Sequence, residues 1–107
     1  TYIDDVVEAL IKLMDYDKSD TFNIGSDKTV SLNQVIKIIQ EKTNSQPIIA
    51  FKERAIKDPD VVKPDLTHIK ETLEWEPSTL IENGIEKTVE WYLENFDLLK
   101  LLTYIKK

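Results

Sequence analysis

The sequence predicts an α/β chain: a mixed α+β fragment, mostly helical, with two or three short strands. Three observations carry this. Apolar residues recur at helical spacing in five segments, several of them opened by capping residues. Two or three short runs carry strand-type residues bounded by turn signals. The apolar step Tyr2-Ile3 comes within three residues of the first position, Thr1, whereas natural starts usually fray. The expectation is a fragment, since three strands of about four residues do not make a self-sufficient sheet.

Tyr2-Ile3 is the first strand-like step. Asp4-Asp5 follows, placed to cap a helix and meet its positive end. Val6, Leu10, Leu13 and Met14, with Val7 and Ile11 beside them, make a wide helical stripe. Asp15 to Asp20 is polar and reads as a loop. Thr21-Phe22-Asn23-Ile24 is the second strand candidate, ended by Gly25. With only two glycines in the chain, Gly25 answers a backbone need, either positive φ or close approach. Ser31 and Gln34 form a capping box for a helix carrying Leu32, Val35, Ile36 and Ile39. After the turn cluster Thr43 to Gln46, Pro47 precedes the third strand candidate, Ile48 to Phe51. Lys52 to Pro64 reads as an extended loop. Asp65 caps a short helix, Leu66 to Leu73, which Trp75-Glu76-Pro77 stops. Thr79 and Glu82 form a second capping box for a helix from about Leu80 to Asn95. Ile81, Ile85, Val89, Tyr92 and Leu93 share one of its faces, and Gly84 within it marks a close neighbour. Asp97 caps a last helix through Leu98, Leu99, Leu101, Leu102 and Ile105.

Composition removes several functions. The chain has 107 residues, 41 % of them hydrophobic, which supports one modest core. It has no cysteine, which excludes disulfides, thiolate zinc sites and Cys nucleophiles. A single histidine, His68, argues against a multi-His metal site or a His-paired triad. Fourteen basic against twenty acidic residues give a net charge of −6, which disfavours nucleic acid and anionic membrane. No apolar run approaches the ~20 residues that span a bilayer. The remaining class is an acidic globular domain, expected in the cytoplasm.

Few residues carry chemistry. Asp4-Asp5 could be a carboxylate pair, but helix capping outweighs that role. Asp58 and Asp60 flank Pro59 and suit a ribose hydroxyl, a cation or plain turn chemistry. Lys52, Arg54, Lys57 and Lys63 form a basic stretch that fits a diphosphate as well as it fits a solvated loop. Trp75 and Trp91 read as core before they read as stacking platforms. His68 reads as a surface or half-buried residue.

The order of these segments resembles a known family. Tyr2-Ile3-Asp4-Asp5-Val6-Val7 is similar to the "Y-V-D-D-hydrophobic" step of the NAD-dependent epimerases and dehydratases that modify sugar nucleotides, the extended short-chain dehydrogenase/reductase group. Phe22-Asn23-Ile24-Gly25 resembles their "F/Y-N-φ-G", and Thr29 to Leu32 their next helix start. Asp58-Pro59, Lys63-Pro64-Asp65 and Leu73 to Pro77 resemble "D-P … K-P-D … L-G-W-x-P". Leu80 to Ile85 resembles the closing "φ-E-x-G-φ" helix. The match runs in order from Tyr2 to about Asn95. Two departures stand out. Asp60-Val61-Val62-Lys63 carries valines where related members place an arginine, and Glu74 replaces the glycine before Trp75.

The resemblance implies the C-terminal portion of an extended Rossmann-type dehydrogenase, with residues 1–107 as one substrate-binding domain. No Tyr here has Lys four residues later and no Gly-rich loop is present, so the catalytic and NAD motifs would belong to an absent N-terminal Rossmann domain. This chain alone carries no catalytic residue by that account. Its expected substrate-binding residues are Arg54, Lys57, Asp58, Asp60 and Lys63. Asp58 or Asp60 would accept from a ribose hydroxyl, and Lys63 or Arg54 would offset diphosphate charge. The implied partners are a UDP- or dTDP-sugar, the chain's own Rossmann domain and a homodimer of the parent enzyme. A non-catalytic helical interaction module, or a degenerate member without nucleotide-sugar binding, is the alternative. The leucine-rich tail Leu98 to Leu102 favours it.

Overall fold

In a computed structural model that describes residues 1–53 and 59–104, the chain forms five helices. They are α1 (Ile3–Met14), α2 (Leu32–Thr43), α3 (Thr67–Leu73), α4 (Ile81–Glu94) and α5 (Phe96–Tyr104). The expected α/β class is corrected: no strand occurs among the described residues. Ile3 is helical, and Tyr2 is the extended residue at the α1 N-cap. Phe22 and Ile24 are half-buried while Thr21 and Asn23 are exposed. The alternation therefore reflects side-chain burial on an irregular segment that joins no backbone ladder among the described residues. Residues 48–51 are exposed and form no regular element, Ile48 being almost fully exposed.

The core is small. Ala9, Ile69 and Trp75 are buried, with Phe22, Ile24, Leu66 and Leu73 packed around them. The radius of gyration is 17.6 Å, against about 13 Å for a compact chain of this length. Many apolar side chains face outward. In α1, Asp5 and Ala9 lie on the buried side, while Ile3, Val7, Leu10, Ile11 and Met14 are exposed. Asp4, Glu8 and Lys12 keep one face polar, and the apolar face is wider than the part that this core covers. In α4, Ile81, Ile85 and Val89 are half-buried, but Tyr92 and Leu93 are exposed. Lys42 of α2 pairs with Glu86 of α4 and joins those two helices.

The caps divide into local and borrowed ones. The α2 capping box forms as expected: Ser31 Oγ accepts from the Gln34 backbone, and Gln34 Oε1 accepts from the Ser31 backbone. Asp65 Oδ1 accepts from the Thr67 N–H at 2.9 Å and serves the start of α3. Of the other expected caps, Asp97 lies inside the first turn of α5 instead of before it, and two more are corrected. Neither α1 nor α4 has a side-chain cap at its own N-terminus. Asp5 instead reaches the segment before α4, where it accepts from Ser78 Oγ, Thr79 N and Thr79 Oγ1 at 2.9–3.1 Å. Burial pushes the Asp5 carboxyl up, but the bonds from Thr79 and Ser78 outweigh that and hold it below the ordinary value. Thr79, engaged this way, is not free to box with Glu82.

Gly25 meets a packing need: a methyl there would lie 3.0 Å from Pro64 Cγ. Its φ is not positive. At Gly84 a methyl would meet the Tyr2 ring at 3.3 Å. α3 ends in a left-handed residue, Glu74, at φ 49°. That turn sends Trp75 into the core, and Glu76 follows it on the outside.

Candidate functional site

The contact between Gly25 and Pro64 brings the loop before α2 against the segment that enters α3. Asn23 Nδ2 donates to the Asp65 carbonyl at 3.1 Å and fixes the same junction. A polar cleft of about 710 Å³ opens beside it. Asp27 and Lys28 form one wall, Lys63 to Thr67 another, and Lys70 and Glu76 a third. Pro64 restricts Lys63 to an extended backbone, so its side chain projects from a fixed stem.

Charge alternates around the cleft. Lys63 Nζ lies 4.0 Å from Asp27, and Lys70 Nζ lies 2.6 Å from Glu76. Asp27 also acts on Lys70 across space, as Lys28 does on Glu76. Glu76 raises the Lys70 ammonium above its ordinary value, and Lys70 holds the Glu76 carboxyl below its own. The Asp65 carboxylate, lowered first by the Thr67 backbone N–H, is spent on the helix start. Three ammonium groups, Lys28, Lys63 and Lys70, therefore line the cleft with three carboxylates, of which Asp65 is bonded to the Thr67 N–H. The lysines suit a multiply charged anion that replaces their carboxylate partners. A second cavity, about 710 Å³ between α2 and α4, is walled by apolar side chains such as Ile39, Ile85 and Val89.

No protein-family model matches the chain. Curated relatives do. It is 32 % identical over 88 residues to UDP-glucuronic acid decarboxylase 1 of Arabidopsis thaliana, covering 82 % of this chain and 20 % of the relative. It is 33 % identical over 104 residues to UDP-glucuronate 4-epimerase of Thermodesulfobacterium geofontis, covering 94 % and 31 %. It is 29 % identical over 90 residues to dTDP-4-dehydro-6-deoxyglucose reductase of Escherichia coli, covering 83 % and 28 %. The chain belongs to the NAD-dependent epimerase/dehydratase family. It spans about a fifth to a third of the length of these curated relatives.

The family's expected ligand residues fall into three groups. Arg54, Lys57 and Asp58 lie outside the described residues. Asp60 is exposed and does not line the cleft. Lys63 does line it. Val61 and Val62, where related family members carry an arginine, are exposed. The cleft also contains Lys28, Lys70, Asp27 and Glu76, which the motifs alone do not single out. Their signal is weak because Lys28 lies far from Lys63 in sequence and meets it only through the Gly25–Pro64 contact. His68 is exposed and stacks on Phe22 at 4.8 Å, with Asp20 at 2.9 Å from Nε2, well placed to brace the loop before Gly25. The family name implies NAD, but this chain does not fit it: the only glycines are Gly25 and Gly84, and each is explained by packing. No helix among the described residues is long and apolar enough to cross a membrane.

Proposed function

We propose that residues 1–107 are the C-terminal, substrate-binding domain of an NAD-dependent nucleotide-sugar epimerase, dehydratase or decarboxylase of the cytoplasm. The observation that carries this is the lysine-lined cleft, built around the Lys63-Pro64-Asp65 motif that links the chain to its family. The diphosphate of a UDP- or dTDP-sugar lies against Lys63. The chain's part in the reaction is positioning, which holds the reacting sugar in one place and removes the entropic cost of the encounter. NAD and the groups that exchange protons with the sugar belong to residues outside this chain. The partner that covers α1 is the NAD-binding domain of the same protein, seated on Ile3, Val7, Leu10, Ile11 and Met14. Ile11→Asp then destabilises the longer protein and leaves the 107-residue chain unchanged; equal effects on both contradict that placement.

Calorimetric titration of the intact protein with UDP-glucuronate, UDP-glucose and dTDP-glucose tests the central claim. Lys63→Ala is expected to weaken the bound sugar nucleotide about tenfold, the scale of one charge-assisted bond, with the melting temperature unchanged. Unchanged affinity in that variant removes Lys63 from the site. Reading the gene upstream of Thr1 tests the parent enzyme: a Gly-rich turn and a Tyr-x-x-x-Lys there support it, and their absence overturns it.

A non-catalytic helical interaction module is the alternative. The exposed Trp91, Tyr92, Leu93, Phe96, Leu98 and Leu101 of α4 and α5 favour it. It predicts no sugar-nucleotide binding by the intact protein.

A further inference from the structure

Six charged side chains line the cleft: Asp65, bonded to the Thr67 N–H, and five that alternate in sign, Lys63, Asp27, Lys70, Glu76 and Lys28. Two of the links are direct ion pairs, Lys63–Asp27 at 4.0 Å and Lys70–Glu76 at 2.6 Å. The other two act across space, Asp27 on Lys70 and Lys28 on Glu76. These side chains are well exposed; those of the two direct pairs have relative accessibilities of 52–66 %. Pairs so exposed hold one another weakly and exchange partners readily. The network also spans separate segments: Asp27 and Lys28 come from the loop before α2, Lys63 from the approach to α3, Lys70 from α3 and Glu76 from the segment after it.

We propose that Asp27 and Glu76 are internal competitors for the three lysines, and that a diphosphate displaces them on binding. Lys28 and Lys70 are then ligand contacts alongside Lys63. This rests on the reading of the cleft as the diphosphate site and adds the mechanism by which it is kept occupied. Without ligand, each carboxylate screens the ammonium groups beside it and holds the side chains over the cleft. A diphosphate offers more negative charge and more acceptor oxygens than either carboxylate, and it sits between the walls rather than on one of them. The lysines turn to it. Asp27 and Glu76 are left facing an anion, which repels them toward solvent. Affinity is thus set below what three lysines would give alone. Valines at 61 and 62 fit this arrangement, because three ammonium point charges supply the neutralisation that one bidentate guanidinium supplies elsewhere. Lysines reorient about a point contact more freely than a planar fork does, which suits an exchange of partners.

The test is titration of the intact protein with UDP, and with uridine as the control that lacks phosphate. Asp27→Asn and Glu76→Gln are each expected to bind UDP about 3- to 5-fold tighter, the effect of removing one exposed like charge. Lys28→Ala and Lys70→Ala are expected to weaken UDP by a similar factor. Uridine binding is expected to change in none of them. Melting temperatures measured alongside identify any variant that has lost its fold, and the other carboxylate variant then decides. If wild-type protein binds UDP and the two carboxylate variants bind it equally or more weakly, the competitor role is overturned and the site stands. If neither wild type nor variants bind UDP, the site itself is overturned.

Discussion

Asp5 and Asp27 are both carboxylates that tie together segments distant in the chain, and they do so in opposite ways. Asp5 is 4 % exposed and accepts three hydrogen bonds from neutral donors. Asp27 is half exposed and faces a charged partner at 4.0 Å. A buried acceptor with neutral donors cannot be replaced by water or by a solute without leaving those donors unpaired. An exposed ion pair gives up its partner at little cost. The first arrangement fixes where α4 starts relative to α1. The second leaves the cleft able to accept something else.

Substitutions sharpen or break this contrast. The largest effect is expected at the core that stands behind the Asp5 junction. Trp75→Ala should cost about 3–5 kcal/mol in denaturant unfolding. Trp75→Phe should cost much less, because the buried indole Nε1 has no hydrogen-bond partner among the described residues and its loss leaves nothing unpaired. Asp5→Ala comes next, at about 2–3 kcal/mol, from stranding the Ser78 and Thr79 donors. The carboxyl of Asp5 ionises below its ordinary value of 3.8. Its stabilisation is therefore complete above the unfolded value and is lost as pH falls through the lower folded one. Unfolding measured from pH 6 down to about pH 2 should show a larger loss in the wild type than in Asp5→Ala, where only the share of the other lowered carboxyls, such as Asp65, remains. Gly25→Ala should cost about 1–2 kcal/mol by pushing on the Pro64 ring, and should also loosen the cleft. The smallest effect is Lys63→Ala, which should leave the melting temperature within about 1 °C of wild type. A large loss there would mean that the cleft's ion pairs are structural, and the contrast with Asp5 would fail.

The parts legible in the sequence are those decided within a few residues. The Ser31–Gln34 box is one, since both bonds close over three positions. The service of Asp65 to α3 is another; at Gly25, of the two expected needs, close approach is met and positive φ is not. The strand expectation failed because alternation reports which side chains are buried and says nothing of whether a second backbone lies alongside. Thr21 to Ile24 has the burial pattern, but it is the Asn23 side chain, not a backbone ladder, that reaches the neighbouring Asp65 carbonyl. The Thr79–Glu82 box failed because a carboxylate 74 residues away takes the threonine. At the site, Lys63 was legible from its motif. Lys28, Lys70 and Glu76 were not, since they converge only once the loop before α2 has closed on Pro64.

Glu74 gives a practical handle. It sits at φ 49°, a conformation that costs a side-chain-bearing residue about 1–2 kcal/mol and glycine almost nothing. The family resemblance places a glycine there. Restoring it by Glu74→Gly relieves that strain, against a smaller loss from the added freedom of the unfolded chain. The net gain of roughly 0.5–1 kcal/mol is the size of a typical return-to-consensus change. It leaves the cleft's six charged side chains in place, and so offers a sturdier background on which marginal variants of those charges remain folded long enough to be assayed.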